Sequence, residues 1–219
     1  MILALSILLA YFAGSIPSGV WVGRMVRGID IRQQGSGNTG AANVARVIGV
    51  PWGILVGLID VFKGFAPVFW LGPLAANSVG STLGLTDVRL ILGAVAILGH
   101  LFPIFAAFKG GKGVLTGMGV MIALMPLEVA IAVGVWAAVF AISRTVSLGS
   151  LTAALALVVV IFARRFVFHV PIPNSLVVAT LLLVLLIFWT HRSNIRRLAE
   201  GREARFGKKL HDPTNPQGQ

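Results

Sequence analysis

The chain has 219 residues, of which 57% are hydrophobic and 11% charged, and its mean hydropathy is +0.91. A water-soluble fold of this composition would expose too much apolar surface, so the sequence predicts an integral membrane protein. The net charge of +11 is concentrated at the ends of apolar runs, which favours membrane lipid over nucleic acid as the partner. The absence of cysteine excludes disulfides, thiolate metal sites and a thioester intermediate.

We expect an all-α integral membrane fold with about seven transmembrane helices, since roughly 20 residues are needed per crossing. The fourth apolar run is too short to cross ~30 Å of hydrocarbon unaided, so it is expected to be a short or re-entrant helix. Residues 1–206 are predicted to form one membrane domain, and residues 207–219 a polar, basic, disordered tail. The predicted spans cover residues 2–23, 48–72, 89–107, 113–125, 127–142, 148–163 and 175–190.

Positive charge is distributed unevenly among the predicted loops. Seven Lys and Arg residues follow the last span, which by the positive-inside rule places the C-terminus in the cytoplasm. Seven spans then place the N-terminus outside. Fourteen of the 18 cations fall on the inner side, against Arg89, Arg164 and Arg165 outside and Lys63 within a span. The glycine-rich turns lie on that same inner side.

The first glycine-rich turn has the sequence GSGNTG at residues 35–40 and leads into a predicted helix. Asn43 and Arg46 are three residues apart on that helix and therefore share a face. Backbone N–H groups, polar side chains and a guanidinium together predict a phosphate cradle, and the alternative is an interfacial loop with a helix cap. The residues expected to contact phosphate are Gly35, Ser36, Gly37, Asn38, Gly40, Asn43 and Arg46.

The second turn has the sequence KGGKG at residues 109–113. It lacks the spacing of a nucleotide-binding loop and follows an apolar span, so we reject nucleotide binding. An anion nest formed by Gly110, Gly111 and Gly113 with Lys112 is the functional interpretation, and a positive stop signal with a flexible turn is the alternative.

Further polar residues lie at the inner ends of later spans. His191 and Asn194 share a helix face after the last span, and His191 is a candidate proton acceptor. Ser150 lies in a serine-rich turn that would otherwise be an ordinary connector. Asp60 and Lys63 are spaced to form a structural ion pair within a span. His100 is expected to bond through its ring nitrogens to a neighbouring helix, without a catalytic role.

Several segments, in this order, resemble the bacterial acyl-phosphate:glycerol-3-phosphate acyltransferase family. The resemblance continues to about Phe206 and so spans nearly the whole chain. The matching segments are GSIPSG at 14–19, GSGNTGA at 35–41 with Asn43 and Arg46, DVFKG at 60–64, Gly99 with His100, KGGKGV at 109–114, Arg144, Ser147 and Ser150, and HRSNI at 191–195.

The resemblance implies a bacterial inner-membrane enzyme of phospholipid synthesis whose active site faces the cytoplasm. Such an enzyme transfers a fatty acyl group from acyl phosphate to the 1-hydroxyl of glycerol 3-phosphate, which gives lysophosphatidic acid and phosphate. No cofactor is expected, and no set of His, Asp and Glu has the spacing of a metal site. The resemblance implies that the functional residues are Ser36, Arg46, Lys112, Ser150, His191 and Asn194.

Because both substrates carry phosphate, we hypothesise that the two turns divide them, with Arg46 serving one turn and Lys112 the other. Which turn binds which phosphate stays open. Phosphate is a good leaving group, so direct transfer without an acyl-enzyme is expected. No carboxylate is expected on the inner face except Asp30, the tail acids Glu200 and Glu203, and distant Asp212, so either His191 or a substrate phosphate takes the hydroxyl proton.

The alternative function is secondary transport of a small organic phosphate. Broken helices and intramembrane charge also build transporter sites, but those lie near the membrane midplane, whereas these polar segments map to one interface. A non-enzymatic lipid-binding scaffold is a third possibility.

Overall fold

The computed structural model describes residues 1–207, and the regular structure of this part is helical. The predicted tail lies outside the described residues except for Gly207. Helical structure continues through the π-helical turns Pro67–Leu71 and Ala163–Val167. The α-helices are α1 (Ile2–Gly14), α2 (Ser18–Arg27), α3 (Ala41–Val47), α4 (Val50–Ala66), α5 (Gly72–Val79), α6 (Leu85–Leu101), α7 (Val114–Leu124), α8 (Pro126–Ser143), α9 (Val146–Phe162), α10 (Asn174–Thr190) and α11 (Arg192–Ala199).

Five helical units of the described chain are long and apolar enough to cross a bilayer. A sixth is present if α10 and α11, which meet at 59°, are counted as one bent span. The all-helical membrane fold is therefore confirmed. The predicted fourth span is α7, which has only 11 residues, so the total of seven spans and the orientation stay predictions. The five units are Ile2–Arg27, Val50–Val79, Leu85–Ala106, Pro126–Ser143 and Val146–Val167.

Pro17 interrupts the first span between α1 and α2, because proline has no N–H and disfavours a helical residue before it. The carbonyl of Ile16 consequently lies outside the regular helical ladder, and Lys63 Nζ donates to it at 2.8 Å. Lys63 also pairs with Asp60 at 2.8 Å, and Ser18 Oγ donates to the same carboxylate at 2.7 Å. The ion pair predicted from the sequence is confirmed, and it ties α4 to the break in the first span.

The short helix α7 packs directly on α4 through glycines. A Cβ at Gly64 would lie 2.1 Å from the carbonyl oxygen of Thr116, and a Cβ at Gly119 would lie 1.9 Å from that of Val61. Any side chain at these positions would push the two helices apart, as is typical of small-residue contacts between membrane helices. This contact fixes α7, and with it the turn that precedes α7.

The segment after α11 folds back against the ends of other helices. After α11 the chain reverses direction, and the N–H of Arg202 donates to the carbonyl of Arg197 at 2.8 Å. The N–H of Phe206 then donates to the carbonyl of Arg144, between α8 and α9, at 2.7 Å. The last described segment thus lies across the ends of α8 and α9 and close to α3, where the polar residues gather.

Candidate active site

A continuous set of polar contacts joins segments that are far apart in sequence. Lys112 Nζ donates to Asn194 Oδ1, and Asn194 Nδ2 donates to Glu203 Oε1 at 2.5 Å. Ser147 Oγ donates to the same carboxylate oxygen at 2.7 Å, and Arg197 Nε donates to Glu203 Oε2 at 2.7 Å. We use the name polar cluster for Arg46, Lys112, Ser147, His191, Asn194, Arg197 and Glu203.

Glu203, Arg197 and Ser147 belong to the cluster but not to the functional residues predicted from the sequence, and Glu203 is the centre that the other two contact. Its side chain is only 6% exposed. Burial alone would raise the pKa of this carboxyl, but hydrogen bonds from Ser147, Asn194 and Arg197 outweigh burial and hold the pKa below its usual range. Glu203 is therefore a permanent anion at neutral pH and a weak base.

Arg46 reaches the cluster from α3, where it is half-buried. Its Nη2 donates to the carbonyl of Ala204 at 3.5 Å, and its guanidinium lies 5.7 Å from the ring centroid of Phe206. Burial lowers the pKa of Arg46, although an arginine stays charged at any physiological pH. Its buried Nε has no hydrogen-bond partner among the described residues, so this cation has unused donor capacity.

Lys112 is the most strongly perturbed cation of the cluster. Burial lowers its pKa to about 8, the Glu203 charge opposes that change, and the charges of Arg197 and Arg46 add to it. The carbonyl of Lys112 accepts a hydrogen bond from Thr190 Oγ1 at 3.1 Å, which fixes the turn against the end of α10. The charge of Glu203 thus acts on both Arg46 and Lys112, and the division of two phosphates between these cations stays a hypothesis.

His191 lies directly after α10 and is 3% exposed. Its Nδ1 is 2.8 Å from the carbonyl oxygen of Ile187. A carbonyl can only accept, so Nδ1 carries the proton and Nε2 retains its lone pair. Burial, reinforced by the charge of Lys112, lowers the pKa of His191 to about 4. The imidazole is therefore neutral at pH 7.

Ser150 is buried on α9, and its Oγ donates to the carbonyl of Val146 at 3.0 Å. Ser147, one turn earlier on the same helix, makes the direct contact with Glu203. The structure therefore places Ser147 in the cluster and Ser150 beside it.

The first glycine-rich turn is organised by its own asparagines. Asn43 Nδ2 donates to the carbonyls of Asn38, Gln34 and Ile31 at 2.9, 3.0 and 3.2 Å, while its Oδ1 accepts from the N–H of Ser36 at 2.9 Å. Asn38 Oδ1 accepts from the N–H of Gly40 at 2.8 Å. Asn43 thus shapes the turn, and the Ser36 side chain stays exposed at its surface.

Several amides expected to hold phosphate are already engaged within the protein. The N–H of Gly37 donates to Gln34, and the N–H groups of Gly110 and Gly111 donate to the carbonyls of Leu101 and His100, both at 3.2 Å. These amides, and those of Ser36 and Gly40, therefore donate within the protein in this structure, and their contact with an anion stays a prediction. Gly35 and Gly113 adopt positive φ angles of 59° and 81°, so their contribution is to the path of the backbone.

A groove of about 480 Å³ lies between the two turns. Arg32 pairs with Asp30 at 2.6 Å, and its hydrogen bonds lower the pKa of Asp30 to about 2. Lys109 has no ion-pair partner among residues 1–207, so the groove carries net positive charge. The groove is lined by Asp30, Arg32, Gln33, Gly37, Thr39, Ala107, Lys109 and Gly110.

The polar cluster has three cations, Arg46, Lys112 and Arg197, around the single carboxylate of Glu203. Within residues 1–207, no three His, Asp or Glu side chains gather closely enough to hold a metal ion. Fold and cluster together define a multi-pass membrane protein with a positively charged polar site at the ends of its helices.

Two solved structures of an integral membrane glycerol 3-phosphate acyltransferase, PlsY (YgiH), resemble this fold. The glycerol 3-phosphate form matches with a TM-score of 0.78 at 36% identity, over 94% of this chain and 96% of that one. The lysophosphatidic acid form matches with a TM-score of 0.77 at 36% identity, over 94% and 95% of the two chains.

Sequence relatives have the same description. The "Glycerol-3-phosphate acyltransferase" family model matches residues 4–201. The glycerol-3-phosphate acyltransferase of Salinibacter ruber is 42% identical over 93% of this chain and 92% of its own length, and that of Chlorobium phaeobacteroides is 38% identical over 91% and 95%. The chain belongs to this family of integral membrane acyltransferases, the PlsY family.

Proposed function

We propose that the protein transfers a fatty acyl group from acyl phosphate to the 1-hydroxyl of glycerol 3-phosphate, giving lysophosphatidic acid and phosphate. The names of its relatives, and the glycerol 3-phosphate and lysophosphatidic acid forms of the two solved relatives, support glycerol 3-phosphate as acceptor and lysophosphatidic acid as product. The observation that carries the proposal is the polar cluster, whose cations exceed its carboxylates by two. That excess suits a phosphate dianion, which carries ≈ −1.5 to −2 charge at pH 7.

Arg46 and Lys112 neutralise the negative charge that develops on phosphate as the acyl–phosphate bond breaks. Both approach Glu203 from one side of the molecule, Arg46 from α3 and Lys112 from the turn before α7. Asn194 links Lys112 to Glu203 and keeps the ammonium group in position. The groove between the turns, with Lys109 at its edge, is the polar entrance for glycerol 3-phosphate. In this arrangement the site faces the cytoplasm, where that substrate is dissolved.

A substrate phosphate takes the proton of the attacking hydroxyl. A general base works best when its pKa is near the operating pH, and a phosphate monoester has its second pKa at ≈ 6. The pKa of His191, about 4, is less suitable, and the carboxylate of Glu203 is acidified by three donors. His191 instead presents its Nε2 lone pair as a neutral acceptor that orients a substrate hydroxyl.

Transfer takes place in one step, without an acyl-enzyme. A serine nucleophile needs a base that can remove its proton. Ser150 donates to a backbone carbonyl, which cannot take the proton. Ser147 donates to Glu203, whose pKa is below its usual range. The hydroxyl of glycerol 3-phosphate therefore attacks the acyl carbonyl directly, and inorganic phosphate leaves.

Seven crossings of the bacterial inner membrane fit the helices if α7 and the α10 segment are both counted, with the N-terminus outside and the C-terminus inside. The basic residues around the cluster support a cytoplasmic position for this side of the molecule. Cysteine accessibility labelling in intact cells tests this topology, because the chain has no native cysteine.

The decisive experiment supplies purified protein with acyl phosphate or acyl-CoA, and with glycerol 3-phosphate as acceptor. With acyl phosphate as donor we expect lysophosphatidic acid and one equivalent of inorganic phosphate. With acyl-CoA as donor we expect no product. Turnover with acyl-CoA and not with acyl phosphate would overturn the proposed donor. Uptake of labelled glycerol 3-phosphate into sealed vesicles without product would support the transporter instead.

A further inference from the structure

The turn that carries Lys112 lies on the end of α6, at His100. The N–H groups of Gly110 and Gly111 donate to the carbonyls of Leu101 and His100. There is no free space at this contact: a Cβ at Gly111 would lie 2.3 Å from Nε2 and 2.9 Å from Cε1 of the His100 ring. A Cβ at Gly110 would lie 2.0 Å from the carbonyl oxygen of His100. The ring of His100 therefore sets how closely Gly111 can approach α6.

His100 lies beside the buried Asp60–Lys63 pair. It is 7% exposed, and its Nδ1 is 3.8 Å from Asp60 Oδ1. That is too long for a hydrogen bond, and Nδ1 has no hydrogen-bond partner in the described chain. The prediction that both ring nitrogens bond to a neighbouring helix is wrong for Nδ1.

We propose that His100 is a positioning residue: its ring sets the height of the Gly110–Gly111 backbone and thereby places the Lys112 ammonium group against Asn194. The route is short, because Gly111 touches the ring and Lys112 is the next residue. The other side of the turn is fixed by Thr190 Oγ1, which donates to the Lys112 carbonyl at 3.1 Å. The turn is thus held between α6 and α10, and the His100 ring is its contact on the α6 side. This inference rests on the role proposed above for Lys112.

A double-mutant cycle between positions 100 and 111 tests the contact. In Gly111→Ala the new methyl group collides with the ring and displaces the turn, so we expect kcat/KM to fall on the order of 10²-fold. His100→Ala should cost on the order of tenfold, since the turn loses its support without being pushed away. The double variant should recover to within about threefold of His100→Ala, because the colliding ring is gone.

Gly110→Ala is the matched control, since its methyl group would meet the backbone carbonyl of residue 100, which His100→Ala leaves in place. We expect no recovery when these two substitutions are combined. His100→Asn repeats the cycle if His100→Ala does not fold, because asparagine keeps an atom at the Nδ1 position and removes the two atoms nearest Gly111. The alkaline limb of kcat/KM should also move in His100→Ala, as the burial of Lys112 changes.

The positioning role would be overturned if His100→Ala kept the wild-type kcat/KM. It would also be overturned if Gly111→Ala lowered kcat/KM equally in the wild-type and His100→Ala backgrounds. A failure of this inference can be distinguished from a failure of the role proposed for Lys112. If Lys112→Met stays active, the proposed function of Lys112 fails, whereas an inactive Lys112→Met with no coupling between positions 100 and 111 removes only this inference.

Discussion

Two charged networks in this molecule, built from different parts of the chain, differ in their balance of positive and negative charge. In the membrane, Lys63 and Asp60 form a pair that is 4% and 2% exposed, with one charge of each sign. At the helix ends, three cations surround the single carboxylate of Glu203. A balanced buried pair holds the helices together, while an excess of one sign leaves capacity for a charged ligand.

The largest effect is expected from unbalancing the buried pair. Lys63→Met leaves Asp60 charged and without its cation, so we expect a loss of about 3–5 kcal/mol in the free energy of unfolding. Reversible unfolding in mixed detergent micelles measures it. The control is Arg196→Met, an 80% exposed cation whose removal should change stability by less than about 0.5 kcal/mol. Equal stability of the two variants would show that the pair is not structural.

The second effect is on rate instead of stability. Lys112→Met or Arg46→Ala should lower kcat/KM by on the order of 10²-fold or more, because each removes a charge that stabilises the transition state. The midpoint of thermal unfolding should change little, since the cluster already has surplus positive charge. Near wild-type turnover in purified variants would contradict this assignment.

The third effect is a change in pH dependence. Lys112 must be protonated to stabilise phosphate, so kcat/KM should fall as the pH rises through about 8. The Glu203 charge raises the pKa of Lys112, so its removal in Glu203→Gln should move this alkaline limb to lower pH. A pH–rate profile of the two proteins measures the shift. An alkaline limb at the same pH in both would mean that another group titrates.

The smallest effect is expected at His191. Because its pKa is about 4, the ring is already neutral above pH 5 and has no proton to lose there. His191→Gln keeps a neutral side chain, so we expect a loss of no more than about tenfold in kcat and an unchanged profile between pH 5 and 9. A lost acidic limb in the variant would identify His191 as the base and contradict proton transfer to a substrate phosphate.

The sequence predicts the helices well and the chemistry of the cluster only in part. Apolar runs and breaks such as Pro17 are local signals, so the helical units agree with the predicted spans to within a few residues at most ends. Glu203 enters the cluster only because the chain reverses after α11, and no spacing in the sequence reports that reversal.

The glycine amides show a second limit of prediction from the sequence. A glycine-rich turn has exposed N–H groups only if nothing else accepts from them, and the carbonyls at the end of α6 accept from Gly110 and Gly111. The contact between this turn and the end of α6 is a tertiary contact, which the local sequence does not report. The same is true of Ser147 and Ser150, which share a helix face but differ in which side chain meets the returning C-terminal segment.

The shortness of α7 has a consequence for depth. An α-helix rises 1.5 Å per residue, so α7 with 11 residues is about 16 Å long and α8 with 18 residues about 27 Å. The two helices share the bend at Met125, so at similar tilt the Lys112 end of α7 lies roughly 10 Å below the Ser143 end of α8. A point about 10 Å beneath the lipid headgroups lies near their boundary with the acyl tails. In the reaction proposed above, the amphiphilic donor would reach Lys112 sideways with its tail still immersed, while the small polar acceptor would enter from the water.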